Sequence, residues 1–163
     1  MTDPILHVVL YEPEIPLNAG SIGRTCVAAG AKLWLVRPMR FQIDDRRLRR
    51  AGLDYWPQLD WEIADDWTQL AKRLGPRPIW LVETRGERIY TEAAFDRGDV
   101  LVFGPESRGL PEKLLAEHAG RSLRLPMQAE TRSLNLANVA TAVVFEALRQ
   151  IHAWPGPSGG CGQ

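Results

Sequence analysis

Short apolar segments alternate with segments of helical periodicity along most of this 163-residue chain. Such a chain buries its apolar segments most simply as strands of a parallel sheet that helices cover. We therefore predict an α/β fold, with a mostly parallel sheet and helices on both of its faces. The predicted strands are 5–11, 33–36, 61–63, 79–82, 100–103 and 122–125.

Apolar residues three and four positions apart, together with residues typical of helix ends, predict the helices. The shorter ones are predicted at 17–30, at 44–52, at 111–118, and from an N-cap at Asp65 or Asp66 to Gly75. The longest helix is predicted to run from Ser133, as its N-cap, to about His152. Its apolar stripe consists of Leu136, Ala140, Val143, Val144, Ala147 and Ile151.

The composition is typical of a soluble globular protein, with 45% hydrophobic and 25% charged residues. The apolar runs are too short to span a membrane, and no signal-peptide pattern opens the sequence. We therefore expect a single cytoplasmic domain over residues 1–154 and a disordered tail, rich in Pro, Gly and Ser, at 155–163. Cys26, Cys161 and three scattered histidines predict neither a disulfide framework nor a metal site.

The neutral balance of 20 basic and 20 acidic residues hides two oppositely charged segments. Residues 37–50 contain six arginines and two aspartates, whereas residues 54–66 contain five acidic residues and no basic residue. Four arginines lie close together: Arg46, Arg47, Arg49 and Arg50. Clustered guanidinium groups suit the phosphates of RNA, and the alternative interpretation is a solvated helix face.

Ligands of parallel sheets bind beyond the carboxyl ends of the strands, which here lead into residues 12–17, 83–86, 104–110 and 126–132. The segment 18–24, Asn-Ala-Gly-Ser-Ile-Gly-Arg, follows the first of these loops and opens a helix. Each glycine inside a helix costs about 1 kcal/mol relative to alanine, so close packing or a close-lying ligand must offset it. Gly20 and Arg24 share a helix face, where they could receive a phosphate or simply pack on the sheet.

Two further polar segments follow predicted strands. Gly104 and Gly109 flank Glu106 in a strand-to-helix loop, which is typical of a close-lying ligand or of an ordinary tight turn. Ser133 and Asn135 stand at the start of the longest helix, where they could contact a ligand or serve only as caps. The sequence contains neither a dinucleotide-binding fingerprint nor a phosphate loop at 18–24.

In this order, segments 18–24, 103–110 and 125–135 resemble the motifs of the SPOUT methyltransferase superfamily, in its SpoU-type 2'-O-ribose branch. The blocks at 11–16 and 46–55 are similar to small bacterial members of that branch that act on tRNA. The resemblance covers residues 5–152. The chain departs from the pattern at Ala19 and Gly23, where the family often has threonine and a larger apolar residue.

The resemblance implies a trefoil knot at the C-terminal end, which strand patterns do not predict because knots are rare. It implies S-adenosylmethionine as the cofactor, held largely by main-chain groups. The cofactor residues that it implies are Val82, Gly104, Glu106, Leu125, Met127 and Ser133. It also implies a homodimer formed through the longest helix, whose stripe of Leu136, Ala140, Val143 and Val144 suits the interface.

The reaction implied is methyl transfer to the ribose 2'-hydroxyl of the wobble nucleotide of tRNA, at position 34, in leucine tRNAs. Arg24 is the candidate catalytic residue. Because a guanidinium stays protonated, we expect Arg24 to grip the flanking phosphate and stabilise alkoxide charge rather than act as a base. Asn18 and Asn135 would orient Arg24 or the ribose, and the cluster of Arg46, Arg47, Arg49 and Arg50 would hold the RNA backbone.

The sequence leaves three alternatives open. The same chemistry could act on another tRNA position or on rRNA. The chain could be a non-catalytic RNA-binding module. The third alternative, an oxidoreductase with a nucleotide cofactor, is disfavoured because the dinucleotide fingerprint is missing.

Overall fold

A computed structural model of the protein describes residues 3–43 and 53–153. In these two ranges, seven strands form one sheet in which every neighbouring pair is parallel. The strands are β1 (His7–Tyr11), β2 (Lys32–Val36), β3 (Trp61–Ala64), β4 (Ile79–Val82), β5 (Arg88–Ile89), β6 (Val100–Phe103) and β7 (Ser122–Arg124). Their order across the sheet is β3-β2-β1-β6-β4-β7-β5. The predicted α/β class with a parallel sheet is confirmed.

The described helices are α1 (Pro16–Ala29), α2 (Trp67–Leu74), α3 (Glu112–Glu117) and α4 (Leu136–Gln150). Helix α1 begins with a proline, which lacks the N–H that a first turn leaves unpaired. It ends at Gly30, whose φ of 71° suits a residue without a Cβ. Helix α2 is capped by Asp66, whose carboxylate accepts a hydrogen bond from the backbone N–H of Gln69 at 2.7 Å.

The structure differs from the sequence predictions at several elements. Strand β1 begins at His7 rather than at residue 5, and the two-residue strand β5 is too short to give a pattern. The predicted N-cap at Ser133 is wrong, because α4 begins at Leu136 and Asn135 caps it. Asn135 Oδ1 accepts from the backbone N–H groups of Ala137 and Asn138, at 2.9 and 3.3 Å.

Alternate residues of the strands belong to two separate apolar clusters, as expected for a sheet that is buried on two sides. The first cluster joins Val8, Leu10, Leu101 and Phe103 to residues of α1 and α4. The second joins residues of the same strands to α2 and α3. Its members include Val9, Trp34, Val36, Leu70, Leu74, Val100, Val102 and Leu114.

The apolar stripe predicted for a subunit interface lies in the chain's own core. Ala140, Val143 and Val144 have no exposed surface and share the first cluster with Ile22 and Cys26 of α1. These three side chains are therefore not available to a second subunit. The large apolar side chains that stay exposed in the described ranges are Ile15, Leu17, Leu134 and Phe145.

Two sequence predictions lie outside the described residues, namely the Arg-rich helix at 44–52 and the tail at 155–163. Among the helices of residues 3–43 and 53–153, none combines the length and the apolar character that crossing a membrane requires. In the same ranges, no three His, Cys, Asp or Glu side chains come together as a group that could hold a metal ion.

Candidate active site

The carboxyl ends of β4 and β6 open into a cleft of about 320 Å³. Its walls come from the loops that follow β4, β6 and β7 and from the beginnings of α1 and α4. Residues that the sequence analysis singled out line this cleft together: Asn18, Val82, Gly104, Glu106, Leu125, Met127, Ser133 and Asn135. The cleft lies where a parallel sheet is expected to bind a ligand.

Two glycines at or near the cleft lie directly against backbone because they carry no side chain. A Cβ on Gly104 would lie 2.7 Å from the carbonyl carbon of Gly109 and 2.7 Å from the nitrogen of Leu110. A Cβ on Gly86 would lie 2.3 Å from the carbonyl carbon of Leu123. These contacts are with backbone atoms, which no change of rotamer can move away. The loop after β6 therefore packs tightly on itself, and the loop after β4 packs on the backbone of β7.

Glu83 is a residue of the cleft wall that the sequence analysis did not assign. Its Oε1 accepts a hydrogen bond from the backbone N–H of Leu110, which ties the loop after β4 to the loop after β6. A Cβ on Gly109 would lie 2.9 Å from Glu83 Oε2, and the φ of Gly109 is 72°. Burial raises the pKa of the Glu83 carboxyl. The only signal in the sequence was its position immediately after a strand.

Glu106, Asn18 and Asn135 form a chain of hydrogen bonds across the cleft. Glu106 Oε1 accepts from Asn18 Nδ2 at 3.1 Å, and Asn18 Oδ1 accepts from Asn135 Nδ2 at 3.1 Å. Glu106 also accepts from the backbone N–H groups of Glu14 and Ile15, at 3.0 and 3.2 Å. The carboxylate therefore acts as a cap for α1 from a distant loop, which suits the positive end of the helix dipole.

Ser107 and Arg108 of the loop after β6 also bind the loop before α1. The hydroxyl of Ser107 donates to Glu14 Oε1 at 2.7 Å, and this hydrogen bond lowers the pKa of the Glu14 carboxyl. Arg108 pairs with Glu12 and lies 3.8 Å from Glu14. Through these contacts the loop after β6 fixes the beginning of α1 beside the cleft.

Arg24 does not line this cleft. It lies on another face of α1, in a separate concavity of about 290 Å³ that it shares with Gly20, Leu53 and Trp56. Its guanidinium stacks over the ring of Tyr55, 4.8 Å from the centroid, and lies 3.8 Å from Asp54. Within one chain, Arg24 is thus apart from Asn18 and Asn135.

The two glycines of α1 are explained by packing. A Cβ on Gly20 would lie 3.1 Å from the side chain of Leu53, and one on Gly23 would lie 3.1 Å from Leu59 and from Trp56. The hydroxyl of Tyr55 donates to the carbonyl of Gly20. Segment 53–59 occupies the space that side chains would fill, so the close packing considered in the sequence analysis is what offsets both glycines.

The cleft fits the cofactor that the resemblance implies. S-adenosylmethionine joins adenosine to methionine through a sulfonium cation, so it needs a pocket with a polar lining and space for a small molecule. Gly104 and Gly109 line the cleft without side chains, and Glu83 adds an acidic group to the wall. The arginines predicted for RNA, Arg46, Arg47, Arg49 and Arg50, lie outside the described residues.

Comparison with known proteins agrees with this geometry. A tRNA (cytidine(34)-2'-O)-methyltransferase of Saccharophagus degradans is 43% identical over 148 residues, which are 90% of this chain and 96% of that protein. A structure solved in a study of the 2-OH methylation of C/U34 on tRNA is 45% identical, with a TM-score of 0.84 over 91% of this chain and 97% of that one.

A third similar protein is the SpoU methyltransferase AviRb of Streptomyces viridochromogenes, solved in complex with the cofactor AdoMet. It is 27% identical, with a TM-score of 0.75 over 92% of this chain and 62% of that one. A family model described as the SpoU rRNA Methylase family matches residues 5–146. The fold, the cleft and these similarities together show that the chain belongs to the SpoU methylase family.

Proposed function

We propose that this protein transfers the methyl group of S-adenosylmethionine to the 2'-hydroxyl of the wobble nucleotide of tRNA, with leucine tRNAs as the acceptors. The observation that carries the proposal is the meeting of three loops, distant in sequence, on one cleft whose lining includes Gly104 and Gly109. The 43% identity over 90% of this chain to a tRNA (cytidine(34)-2'-O)-methyltransferase supports the choice of acceptor. We expect to find the protein in the cytoplasm, together with its substrate.

The residues that would hold the cofactor are Val82, Gly104, Leu125, Met127 and Ser133, all of which line the cleft. When bound, the cofactor supplies a methyl group that is already activated by the positive sulfur. The task left to the protein is alignment of the acceptor and stabilisation of charge. Glu106 contributes by fixing the beginning of α1, and with it Asn18, at the cleft.

Arg24 would grip the phosphate that flanks the methylated ribose and stabilise the developing alkoxide. Asn18 and Asn135 would orient the ribose, because their amides stand in the cleft wall. Since Arg24 lies outside the cleft of its own chain, we propose a homodimer in which it serves the cleft of the other copy. The exposed side chains of Ile15, Leu17 and Phe145, the last on α4, are available for the contact.

The C-terminal trefoil knot belongs to the same proposal. It would thread segment 125–135 against the loops after β4 and β6. Residues of all three segments line one cleft, and the loop after β4 packs on the backbone of β7 at Gly86 and Leu123, which supports the knot because a knot brings these segments together.

The decisive experiment is the mapping of the methylated nucleotide. Purified protein is incubated with total tRNA and labelled cofactor, and the product is digested and sequenced by mass spectrometry. We expect one 2'-O-methyl group at position 34 of leucine tRNAs. A methyl group elsewhere in tRNA, or only in rRNA, would contradict the acceptor. Failure to bind S-adenosylmethionine in calorimetry would instead identify a non-catalytic module.

The role of Arg24 has a separate test. Arg24→Ala should abolish methylation and leave cofactor binding intact, and retained turnover would remove Arg24 from the mechanism. Ser133→Trp should block the cleft by filling it at an exposed position. When the two inactive variants are mixed and allowed to exchange subunits, about a quarter of wild-type activity should return, since half of the dimers are mixed and each contains one intact site.

A further inference from the structure

A second groove, of about 650 Å³, continues from the mouth of the cleft. The two share Thr84, Leu125 and Met127 in their walls. The rest of the groove is formed by Arg85, Arg124 and the loop 126–132. Any long ligand that reaches into the cleft from this side must pass over the groove.

Three arginines from two separate segments of the chain face the groove together: Arg85, Arg124 and Arg132. The absence of a side chain at Gly86 lets the loop after β4 lie directly on Leu123, at the end of β7. Arg124 then donates from Nη1 to the carbonyl of Gly86 at 2.7 Å. This hydrogen bond holds the guanidinium of Arg124 beside the loop that carries Arg85.

The groove carries positive charge that its surroundings leave unneutralised. Its lining contains three guanidinium groups and one carboxylate, that of Glu130. Over residues 3–43 and 53–153, no carboxylate oxygen lies within 4.0 Å of a guanidinium nitrogen of these three arginines. The guanidinium of Arg108, by contrast, has the carboxylates of Glu12 and Glu14 beside it. Arg85 and Arg132 are also exposed to solvent.

We propose that this groove binds the phosphate backbone of the substrate RNA, with Arg85 and Arg132 as the contact residues and Arg124 as the arginine that fixes the groove floor. The inference rests on the proposed function and deepens it, since it names a phosphate site separate from Arg24 and from the cluster Arg46, Arg47, Arg49 and Arg50. An RNA strand that presents one ribose to the cleft extends over the adjoining groove. Exposed guanidinium groups are well suited to phosphate, which they bind with two parallel hydrogen bonds.

The test compares two doubly substituted variants that lose the same charge. Arg85→Gln/Arg132→Gln removes the two exposed arginines of the groove. Lys72→Gln/Arg97→Gln removes two exposed cations that line neither the groove nor the cleft. The probe is a leucine tRNA transcript, whose binding to each full-length variant is measured by fluorescence anisotropy at several salt concentrations. Calorimetry with S-adenosylmethionine checks that the cleft itself is unchanged.

We expect the groove variant to bind the transcript at least about tenfold more weakly, with the control variant within about twofold of wild type. The slope of log affinity against log salt should decrease by about 0.7 for each phosphate that the variant no longer neutralises. Cofactor affinity should be the same in all three proteins. Unchanged RNA affinity and slope in the groove variant, or an equal decrease in the control variant, would overturn the inference.

These outcomes separate the inference from the proposed function. If wild-type protein methylates position 34 while the groove variant binds tRNA normally, the groove is not the phosphate site and the proposed function stands. If wild-type protein does not bind the transcript at all, both fail together. A groove variant whose affinity falls equally for leucine tRNA and for an unrelated tRNA supports backbone binding, because phosphates carry no sequence information.

Discussion

Asn135 donates a hydrogen bond from its side-chain amide to Oδ1 of Asn18, 117 positions earlier in the chain, at 3.1 Å. The same Asn135 side chain caps α4, and Asn18 in turn donates to Glu106. One continuous network therefore links the beginning of α1, the beginning of α4 and the loop after β6. Asn18 and Asn135 each donate and accept within it, which an ionised acid cannot do.

Asn18→Asp should destabilise the protein at neutral pH. Asn18 is only 6% exposed, and the substitution places a second carboxylate where Glu106 accepts a hydrogen bond at 3.1 Å. We expect a decrease of about 2–3 kcal/mol in the free energy of unfolding at pH 7, measured with urea. The decrease should shrink at pH 5, where the two acids can share a proton. Asn138→Asp, at an exposed position in the first turn of α4, is the control and should leave stability within about 0.5 kcal/mol.

Glu83→Gln should change stability and cofactor binding in opposite directions. Because burial raises the pKa of Glu83, the ionised group lowers stability as pH rises through that pKa, and glutamine removes this effect while it can still accept from Leu110. We expect the Tm to increase by about 1 °C at pH 7 and not to change at acid pH, where the carboxyl is protonated. The increase at pH 7 is small because solvent screens a half-buried group.

The same Glu83→Gln variant should bind S-adenosylmethionine several-fold more weakly, because the cofactor is a cation and the cleft wall would lose its negative charge. Calorimetry at pH 7 measures this directly. Glu87→Gln, an exposed substitution on the same loop that lines neither cleft nor groove, should leave cofactor affinity unchanged. Stronger cofactor binding by Glu83→Gln would show that the carboxylate opposes the ligand.

Gly86→Ala should strongly destabilise the protein, whereas Gly23→Ala should be tolerated. The new Cβ at residue 86 meets backbone 2.3 Å away, but at residue 23 it meets only side-chain atoms of Leu59 and Trp56, at 3.1 Å. We expect a destabilisation of at least about 3 kcal/mol for Gly86→Ala and about 1 kcal/mol or less for Gly23→Ala, measured by urea unfolding. Equal effects of the two substitutions would contradict the backbone packing described above.

His7 should make the protein less stable in mild acid. Its Nδ1 accepts from Trp34 Nε1 at 3.0 Å, and burial lowers the pKa of the imidazole to about 4. Between the ordinary pKa of 6.5 and about 4 the unfolded chain binds the extra proton, so the free energy of unfolding falls as pH falls through this window. The decrease should reach about 3 kcal/mol before it levels off.

His7→Gln tests this dependence, because glutamine can still accept from Trp34 but does not titrate. Urea unfolding at several pH values between 4 and 7.5 should give a flatter profile for the variant. His118→Gln provides the comparison, since burial also lowers the pKa of the half-buried His118, and it should flatten the profile less. A His7→Gln profile as steep as that of wild type would assign the acid sensitivity to other groups.

The sequence correctly predicted those elements whose bounds depend on residues close by in the chain. Strands β4 and β6 match their predicted bounds, because each is a four-residue apolar run between loop residues. Asp66 caps α2 through an atom three residues away. The strand-end loops likewise pointed to the cleft, since parallel strands bring their carboxyl ends to one edge.

The features that the sequence did not predict depend on distant contacts. Ser133 and Asn135 are both good caps, and Asn135 is also the one that bonds to Asn18. Helical periodicity shows that Val143 and Val144 share a face, but not that α1 covers this face. Glu83 is a single acid after a strand, and its role depends on where the loop at Leu110 lies.

The packing of Gly104 against Gly109 limits how this cleft can change during evolution. Where peptide groups lie in van der Waals contact, a point substitution adds a side chain for which there is no space. The substitution therefore forces the two segments apart. New acceptor preferences must therefore arise outside this part of the cleft wall, at side chains that can contact bases, while the interior stays committed to a single donor.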